Sequence, residues 1–376
     1  MSGRIDSTHM AHALRLAARG LYSTQPNPRV GCVLAHGDEV VGEGWHRRAG
    51  EAHAEVLALA EAGAHARGAT AYVTLEPCGL HGRTPPCADA LIAAGVARVV
   101  VAGEDAFQRN GGALDRLRAA GIGVETGLLR AEARELNRGF FARVERGRPW
   151  LRIKLAMSLD GRTALADGRS KWITGESARA DVQRWRARSS AILTGSGTVL
   201  ADDPALTVRL PPAATDPAGD GATDVTTAPV PPLRVILDRS LRLPASVQVF
   251  NGAAPTLVFH DALAGATAGS GQVERVAVES AAGGLDLEAV LRELARRGCN
   301  EVQVEAGPTL CGAWLAAGLV DELLLYVAPV LLGDSARPLL TLPPLADMLS
   351  AWRLRMVDQR MVGSDLRLLL RPLAEN

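Results

Sequence analysis

Apolar positions along the chain alternate between a helical period and a strand period. From His9 to Gly20 they recur at helical spacing (Met10, Ala13, Leu14, Ala17) and Gly20 supplies a stop, which predicts an amphipathic helix behind a disordered lead-in, residues 1–8. Gln25-Pro-Asn-Pro28 then feeds the apolar run Val30–Leu34. Two prolines cannot both lie inside a strand, so this segment reads as a rigid loop entering one. His36–Glu39 reads as a hairpin turn ahead of strand residues Val40 and Val41. Helices are predicted over Ala52–Ala62, Ala88–Ala94 and Leu114–Ala120, with strands over Val73–Leu75 and Arg98–Ala102. Such alternation predicts an α/β layer fold on a largely mixed sheet.

A charged amphipathic helix, Ala131–Arg146, with Leu136, Phe140, Phe141 and Val144 near one face, ends at Gly147 and Pro149. The pattern then changes: Trp150–Met157 alternates like a strand, Ser158–Thr163 turns, a helix runs from Trp172 through Arg188, and Ser190–Gly195 is an apolar strand. Residues 211–232 are rich in proline, glycine and small polar residues, which cannot build a core, and read as a surface insertion in a second domain. Strands follow at Leu233–Asp238 and near Thr256–His260, then a flexible stretch at 262–272. A helix over Leu287–Gly298 leads to a strand over Glu301–Glu305 and a glycine turn. No solenoid period appears, so two globular domains are expected, residues 1–147 and 148–376.

Composition agrees with that division. A chain of 376 residues with 47% apolar and 22% charged residues is long enough for two or three domains with substantial cores. With 41 basic and 41 acidic residues and no dense Lys/Arg block, binding to nucleic acid is not expected as the main task. An odd set of five cysteines points to a reducing compartment, and no secretory segment or membrane-spanning run is present, so a cytoplasmic location is expected.

The chemistry concentrates between His53 and Cys87. His53-Ala-Glu55 is followed by Glu76-Pro-Cys78 and, after eight intervening residues, by Cys87. One imidazole and two thiolates suit zinc, and three protein ligands leave a fourth position for water. Glu55 is not needed as a ligand; at the start of a helix it can face that water and carry its proton to a leaving group. H-x-E with a later P-C is the signature of zinc deaminases, although the usual interval between the cysteines is two residues. The wider loop here adds His81 and Arg83 at the rim. Asn27 between its prolines is either a reader of a pyrimidine edge or a turn former. His46 is not assignable from pattern, and Cys32 reads as core.

Three stretches, PNPRVGCV, EGWHRRAGEAHAEV and TLEPCGLHGRTPPC, resemble the deaminase half of the bifunctional riboflavin-biosynthesis deaminase–reductase family. The resemblance implies a cytidine-deaminase-like mixed-sheet α/β/α domain in which His53, Cys78 and Cys87 hold one Zn2+ and Glu55 shuttles protons. It also implies that Asn27, His46 and Arg83 hold the pyrimidine and its ribose phosphate. Cys78-Gly-Leu-His81 and Asp105-Ala-Phe-Gln108 depart from the family pattern.

In the second half, strand, glycine turn and helix at Ala306–Ala313 form a junction that favours anions, while no G-x-G-x-x-G follows a strand, which disfavours a Rossmann domain. KLAMSLDGRTA, SKWITGESAR, ADDPALTVR and VEAGPTLCGA are similar to the reductase half of the same family. This implies a dihydrofolate-reductase-like α/β domain using NADPH. The implied cofactor contacts are Ala156, Trp172, Thr198, Asp202, Gly307, Pro308, Thr309, Leu310, Cys311, Gly312 and Ala313. The implied substrate contacts are Ser170, Arg186, Leu206, Arg209 and Glu305. Lys154 reads either as a catalytic ammonium that helps open the ribose ring or as a strand lysine reaching the surface. Cys299 has no partner pattern. The expected activity is hydrolytic deamination of a diaminopyrimidinone ribosylamine phosphate followed by NADPH-dependent reduction of ribosyl to ribityl. Small-molecule substrates and a homo-oligomer are expected. The rival readings are a deaminase of a nucleoside or RNA base with a non-catalytic assembly domain, and a non-catalytic metal-stabilised binding protein; the intact second-half motifs and the retained Glu55 argue against them.

Overall fold

The computed structural model describes residues 2–80, 86–108, 112–210, 228–264, 273–281 and 284–373. The chain divides into two compact units, the first taking in Met1–Gly147 and Pro211–Val230, the second Arg148–Leu210 and Pro231–Asn376.

The first unit contains α1 (Ser2–Ala18), β1 (Gly31–His36), β2 (Glu39–Trp45), α2 (Ala54–Ala62), β3 (Thr70–Leu75), α3 (Cys87–Ala94), β4 (Arg98–Gly103), α4 (Ala113–Ala119), β5 (Gly123–Thr126), α5 (Arg130–Leu136) and α6 (Arg138–Arg146). Its sheet order is β2-β1-β3-β4-β5, antiparallel across β2-β1-β3 and parallel across β3-β4-β5. Strand periodicity divides the residues of β1 between two cores. Cys32 and Leu34 pack with α2, α3 and α4, whereas Val33 and Ala35 pack with α1 and α5. The sheet is therefore covered on both faces. Gly42 and Gly44 let α2 lie directly against β2, since a Cβ on either would stand 2.4 Å from a helix carbonyl, that of Ala58 or Ala54.

Around the first unit the structure departs from expectation in three places. The first helix starts at Ser2, because Asp6 accepts hydrogen bonds from the Tyr72 hydroxyl at 2.6 Å and from Arg98 at 2.9 Å. The expected single helix Ala131–Arg146 is two, α5 and α6, separated at Asn137. Its buried amide accepts from Arg29 N–H at 2.7 Å and donates to Arg29 C=O at 2.8 Å, clamping the loop that carries Asn27. Of the 211–232 stretch, residues 211–227 lie outside the described residues, and 228–230 belong with the first unit. Val230 donates to the Tyr22 carbonyl at 2.9 Å and Arg48 to that of Ala228 at 2.8 Å.

The second unit contains β6 (Trp150–Ser158), β7 (Arg162–Ala164), α7 (Glu176–Ala187), β8 (Ala191–Gly195), α8 (Ser196–Asp202), β9 (Leu233–Leu237), β10 (Thr256–Asp261), β11 (Val273–Val278), β12 (Ser280–Ala281), β13 (Gly284–Leu285), α9 (Leu287–Arg296), β14 (Glu301–Val304), α10 (Pro308–Ala316), β15 (Glu322–Ala328), β16 (Arg337–Pro338), β17 (Leu354–Val362) and β18 (Asp365–Pro372). Nine strands form one sheet, ordered β11-β10-β9-β8-β14-β6-β15-β18-β17. It is parallel from β11 to β15 and antiparallel at β18 and β17. The alternation of β6 is not that of a strand with one wet face. Leu151, Ile153 and Leu155 enter the main core, while Arg152 on the opposite face is fully buried between Glu301 and Glu322, each at 2.7 Å, over the Trp185 ring. The helix expected from Trp172 begins only at Glu176. Trp172 itself is 70% exposed, with the Arg179 guanidinium 4.5 Å above its ring.

Candidate active sites

In the first unit three segments that are distant in sequence converge. His53 is the N-cap residue of α2, Cys78 lies just past β3, and Cys87 opens α3. The loop between the thiols is closed at its base, where Ala88 N–H donates to Cys78 C=O at 3.3 Å. His53 Nδ1 lies 3.2 Å from Cys87 Sγ and 3.5 Å from Cys78 Sγ, and all three donor atoms fall within 4.8 Å of one another. Tetrahedral ligands bonded at 2.0–2.3 Å to one ion stand roughly 3.5 Å apart, so this soft donor set fits zinc. Cys78 is held down at about 4, chiefly by hydrogen bonding from Cys87, against its own burial. The same sharing pushes the Cys87 thiol up.

Glu55 sits in the first turn of α2, 3% exposed. Burial pushes its carboxyl up to about 7, against hydrogen bonding and the His53 charge, which favour the ionised form. A carboxyl poised there can both take and give a proton near neutrality. Beside it, His46 donates from Nδ1 to Ala52 C=O at 3.1 Å, which leaves Nε2 to accept from the Asn27 amide at 3.0 Å. The His46 ring meets His53 edge-on at 5.3 Å. Asn27 and His46 are therefore joined to the cluster, whereas Arg83 and His81 lie outside the described residues. At the departing loop after residue 104, buried Asp105 donates its N–H to Glu76 at 3.2 Å and accepts from Phe107 N–H at 2.9 Å.

In the second unit a cavity of about 1980 Å³ opens at the carboxyl ends of the parallel strands β6, β8, β9 and β14. Ligands of open α/β sheets bind at such ends, because loops there diverge to opposite faces. Lys154, Ala156, Ser170, Trp172, Arg186, Thr198, Asp202, Leu206, Arg209 and Glu305 all line it, with Gly307, Pro308, Thr309, Leu310 and Ala313 of the glycine turn. Cys311 and Gly312 are not among its lining residues. The Cys311 thiol donates to Ala306 C=O at 3.3 Å, and a Cβ on Gly312 would stand 2.0 Å from Thr341 O.

Lys154 follows Arg152 by one strand period, so both side chains share a face of β6; one period nearer the strand end, Lys154 reaches the cavity. Burial lowers its pKa, with Glu305 opposing and Arg186 adding to the shift. Glu305 accepts from Arg186 Nε at 2.7 Å and Nη2 at 2.8 Å and from Gln303 Nε2 at 2.9 Å. Burial alone raises its carboxyl, but Arg186 outweighs that and holds it down at about 2. A long apolar-walled cleft with fixed charges of both signs fits a dinucleotide and a phosphorylated substrate. Residues not anticipated from sequence also line it, among them Arg179, Arg239, Arg242 and Arg337. Their only signal was position, since Arg239 and Arg242 directly follow a parallel strand.

Together the two sites define a two-activity enzyme, a zinc-type hydrolytic deaminase joined to a dinucleotide-dependent reductase. Residues 4–103 match the cytidine and deoxycytidylate deaminase zinc-binding region, and residues 149–368 match the RibD C-terminal domain. The chain is 48% identical to riboflavin biosynthesis protein RibD of Escherichia coli K12 over 96% of its length and 98% of that protein's. It is similar to the solved structure of Acinetobacter baumannii RibD (form 2), with a TM-score of 0.88, 42% identity and coverage of 99% of this chain and 100% of that one. A Thermotoga maritima structure described as a diaminohydroxyphosphoribosylaminopyrimidine deaminase/5-amino-6-(5-phosphoribosylamino)uracil reductase gives a TM-score of 0.85 at 32% identity, covering 99% and 100% of the two chains. The chain belongs to the RibD family of riboflavin biosynthesis proteins.

Proposed function

We propose that residues 1–147 deaminate a 2,5-diamino-6-ribosylaminopyrimidinone 5'-phosphate and that residues 148–376 reduce the ribosyl side chain of the product to ribityl. The convergence of His53, Cys78 and Cys87 beside buried Glu55 carries this reading, because a purely structural zinc site has no use for a buried carboxyl that is not one of its ligands. Zinc, when bound by these three residues, supplies a Lewis acid that activates water near pH 7. Glu55 takes the proton released from the attacking water and returns it to the departing ammonia. The Asn27 amide and His46 orient the pyrimidine, and the Asn27–His46 bond at 3.0 Å holds them to each other. Arg83 is assigned to the ribose phosphate on sequence grounds.

In the second unit NADPH, when bound along Ala156, Trp172, Thr198, Asp202 and the 307–313 turn, supplies hydride. Lys154 protonates and holds the ribose oxygens as the ring opens, and Glu305 keeps Arg186 directed at the substrate. Ser170, Leu206 and Arg209 complete the substrate wall. Purified enzyme given the diaminopyrimidine substrate is expected to release ammonia without NADPH and to oxidise NADPH only after that release. Oxidation of NADPH before any ammonia appears would reverse the assigned order.

A homo-oligomer is supported by the exposed apolar residues Met356 and Met361 on edge strand β17 together with Met348 and Leu349 nearby, a surface that light scattering of the purified protein tests through its mass. A cytoplasmic location is supported by the free cysteines, two of which serve the metal cluster. No helix among the described residues is long and apolar enough to cross a membrane.

A further inference from the structure

The loop that carries Asn27 is fixed from two sides. On one side the Asn27 amide meets His46 Nε2 at 3.0 Å, and His46 N–H donates to Val30 C=O at 2.9 Å. On the other lies the break between α5 and α6, occupied by Asn137, which is 2% exposed. Its side-chain amide takes both backbone groups of a single residue. Oδ1 accepts from Arg29 N–H at 2.7 Å, and Nδ2 donates to Arg29 C=O at 2.8 Å. An amide carries a donor and an acceptor side by side, so it pairs with that residue as a neighbouring strand would.

Arg29 is tied to the same junction through its own side chain. Its guanidinium donates to Leu136 C=O, at the end of α5, at 2.6 Å and to Leu21 C=O at 3.4 Å. From α6, Phe140 and Phe141 form a cluster with Leu75 and Val30, and Arg143 reaches Pro26 C=O at 3.4 Å. Only Pro28 separates Arg29 from Asn27, and its ring fixes the φ between them. Asn27 N–H closes a turn on Thr24 C=O at 2.9 Å. With so little rotational freedom left, the orientation set at Arg29 passes on to the Asn27 side chain. The zinc ligands are not held in this way, since both hydrogen bonds of the Asn137 side chain go to Arg29.

We infer that Asn137 is a positioning residue for the deaminase site: its clamp on Arg29 aims the Asn27 amide at the pyrimidine and so sets substrate affinity from a buried position. The inference rests on the pyrimidine role proposed above for Asn27. Its test is steady-state ammonia release by the full-length, zinc-loaded protein in Asn27→Ala, Asn137→Ala and the double variant, with zinc content and Tm measured on each. A binding group misplaced by about 1 Å can cost two orders of magnitude, so Asn137→Ala is expected to raise KM for the diaminopyrimidine substrate roughly ten- to a hundredfold. Its kcat is expected to stay within about threefold of wild type, because binding lost equally from ground and transition states shows in KM alone. Adding Asn137→Ala to Asn27→Ala should raise KM by less than about threefold further, since the first residue acts through the second. General destabilisation would lower the folded fraction, and with it kcat, without this coupling. Asn137→Asp keeps the acceptor for Arg29 N–H and loses the donor to its C=O, so an intermediate KM is expected; it carries the test if the alanine variant does not fold. Full additivity of the two substitutions, or a wild-type KM in a folded Asn137→Ala or Asn137→Asp variant, would overturn the assignment. A wild-type KM in Asn27→Ala would instead remove the pyrimidine role of Asn27 beneath it.

Discussion

Replacing Glu305 by glutamine removes one charge from a site where two cations depend on it. Arg186 makes a two-pronged contact with that carboxylate, at 2.7 and 2.8 Å, and its side chain is 11% exposed. Glu305 is held at about 2 against an ordinary 4.5, a gap worth about 3 kcal/mol at 1.36 kcal/mol per unit. Leaving one partner of a buried pair uncompensated costs about 3–5 kcal/mol in general, so the two routes agree. For a unit of this size each kcal/mol lowers Tm by about 2–4 °C, which predicts a fall of roughly 6–12 °C in the transition of the second unit. The sign with pH follows from a depressed carboxylate pKa. The stabilisation is complete above about 4.5 and disappears as pH falls toward about 2. Calorimetric scans of wild type and Glu305→Gln between those limits should converge as acid is added. A variant that melts with wild type at neutral pH, or a gap that is constant with pH, would refute the ion-pair account.

Gly44→Ala places a Cβ 2.4 Å from Ala54 O and 2.7 Å from Ala58 N, both backbone atoms of α2. The helix must shift, so stability should fall by about 1–3 kcal/mol, and chelator competition should show weaker zinc retention because His53 moves with it. Lys154→Ala should lower reductase turnover at saturating NADPH by roughly a hundredfold or more, with NADPH affinity little changed; unaltered turnover would return Lys154 to a packing role. Stripping zinc, or Cys87→Ser, should stop ammonia release while NADPH oxidation continues on the deaminated intermediate.

How far the fold and sites can be read from sequence depends on whether the deciding partners are local. His53, Glu55 and Cys78 are legible because each sits at the junction of a strongly patterned strand or helix, and the chemistry of imidazole and thiolates limits what they can bind. The elements between Ala52 and Ala102 fall within a few residues of their expected bounds for the same reason. Asn137 is different: its partner is the backbone of Arg29, 108 positions away, so a continuous helical pattern hid the break between α5 and α6. Arg152 reads as the wet side of a strand, yet its two carboxylate partners come from β14 and β15 and bury it completely. The reductase cavity draws its walls from the ends of several strands, and pattern alone pointed only to the glycine turn at Ala306–Ala313; resemblance named the rest. Arg239 and Arg242 were missed because a turn with two arginines looks like any solvated turn until the sheet order places it. The strands β15, β17 and β18 were not anticipated, and β18 carries Arg367, whose contact with Asp181 at 2.9 Å spans 186 positions.

The presence of two separate active sites is tested most directly by following ammonia release and NADPH oxidation side by side in zinc-loaded Glu55→Gln. Loss of general acid–base catalysis should slow ammonia release by roughly 10²- to 10⁴-fold, while NADPH oxidation on the deaminated intermediate proceeds at the wild-type rate. Loss of both activities in the folded, zinc-loaded variant, or ammonia release undiminished, would contradict it.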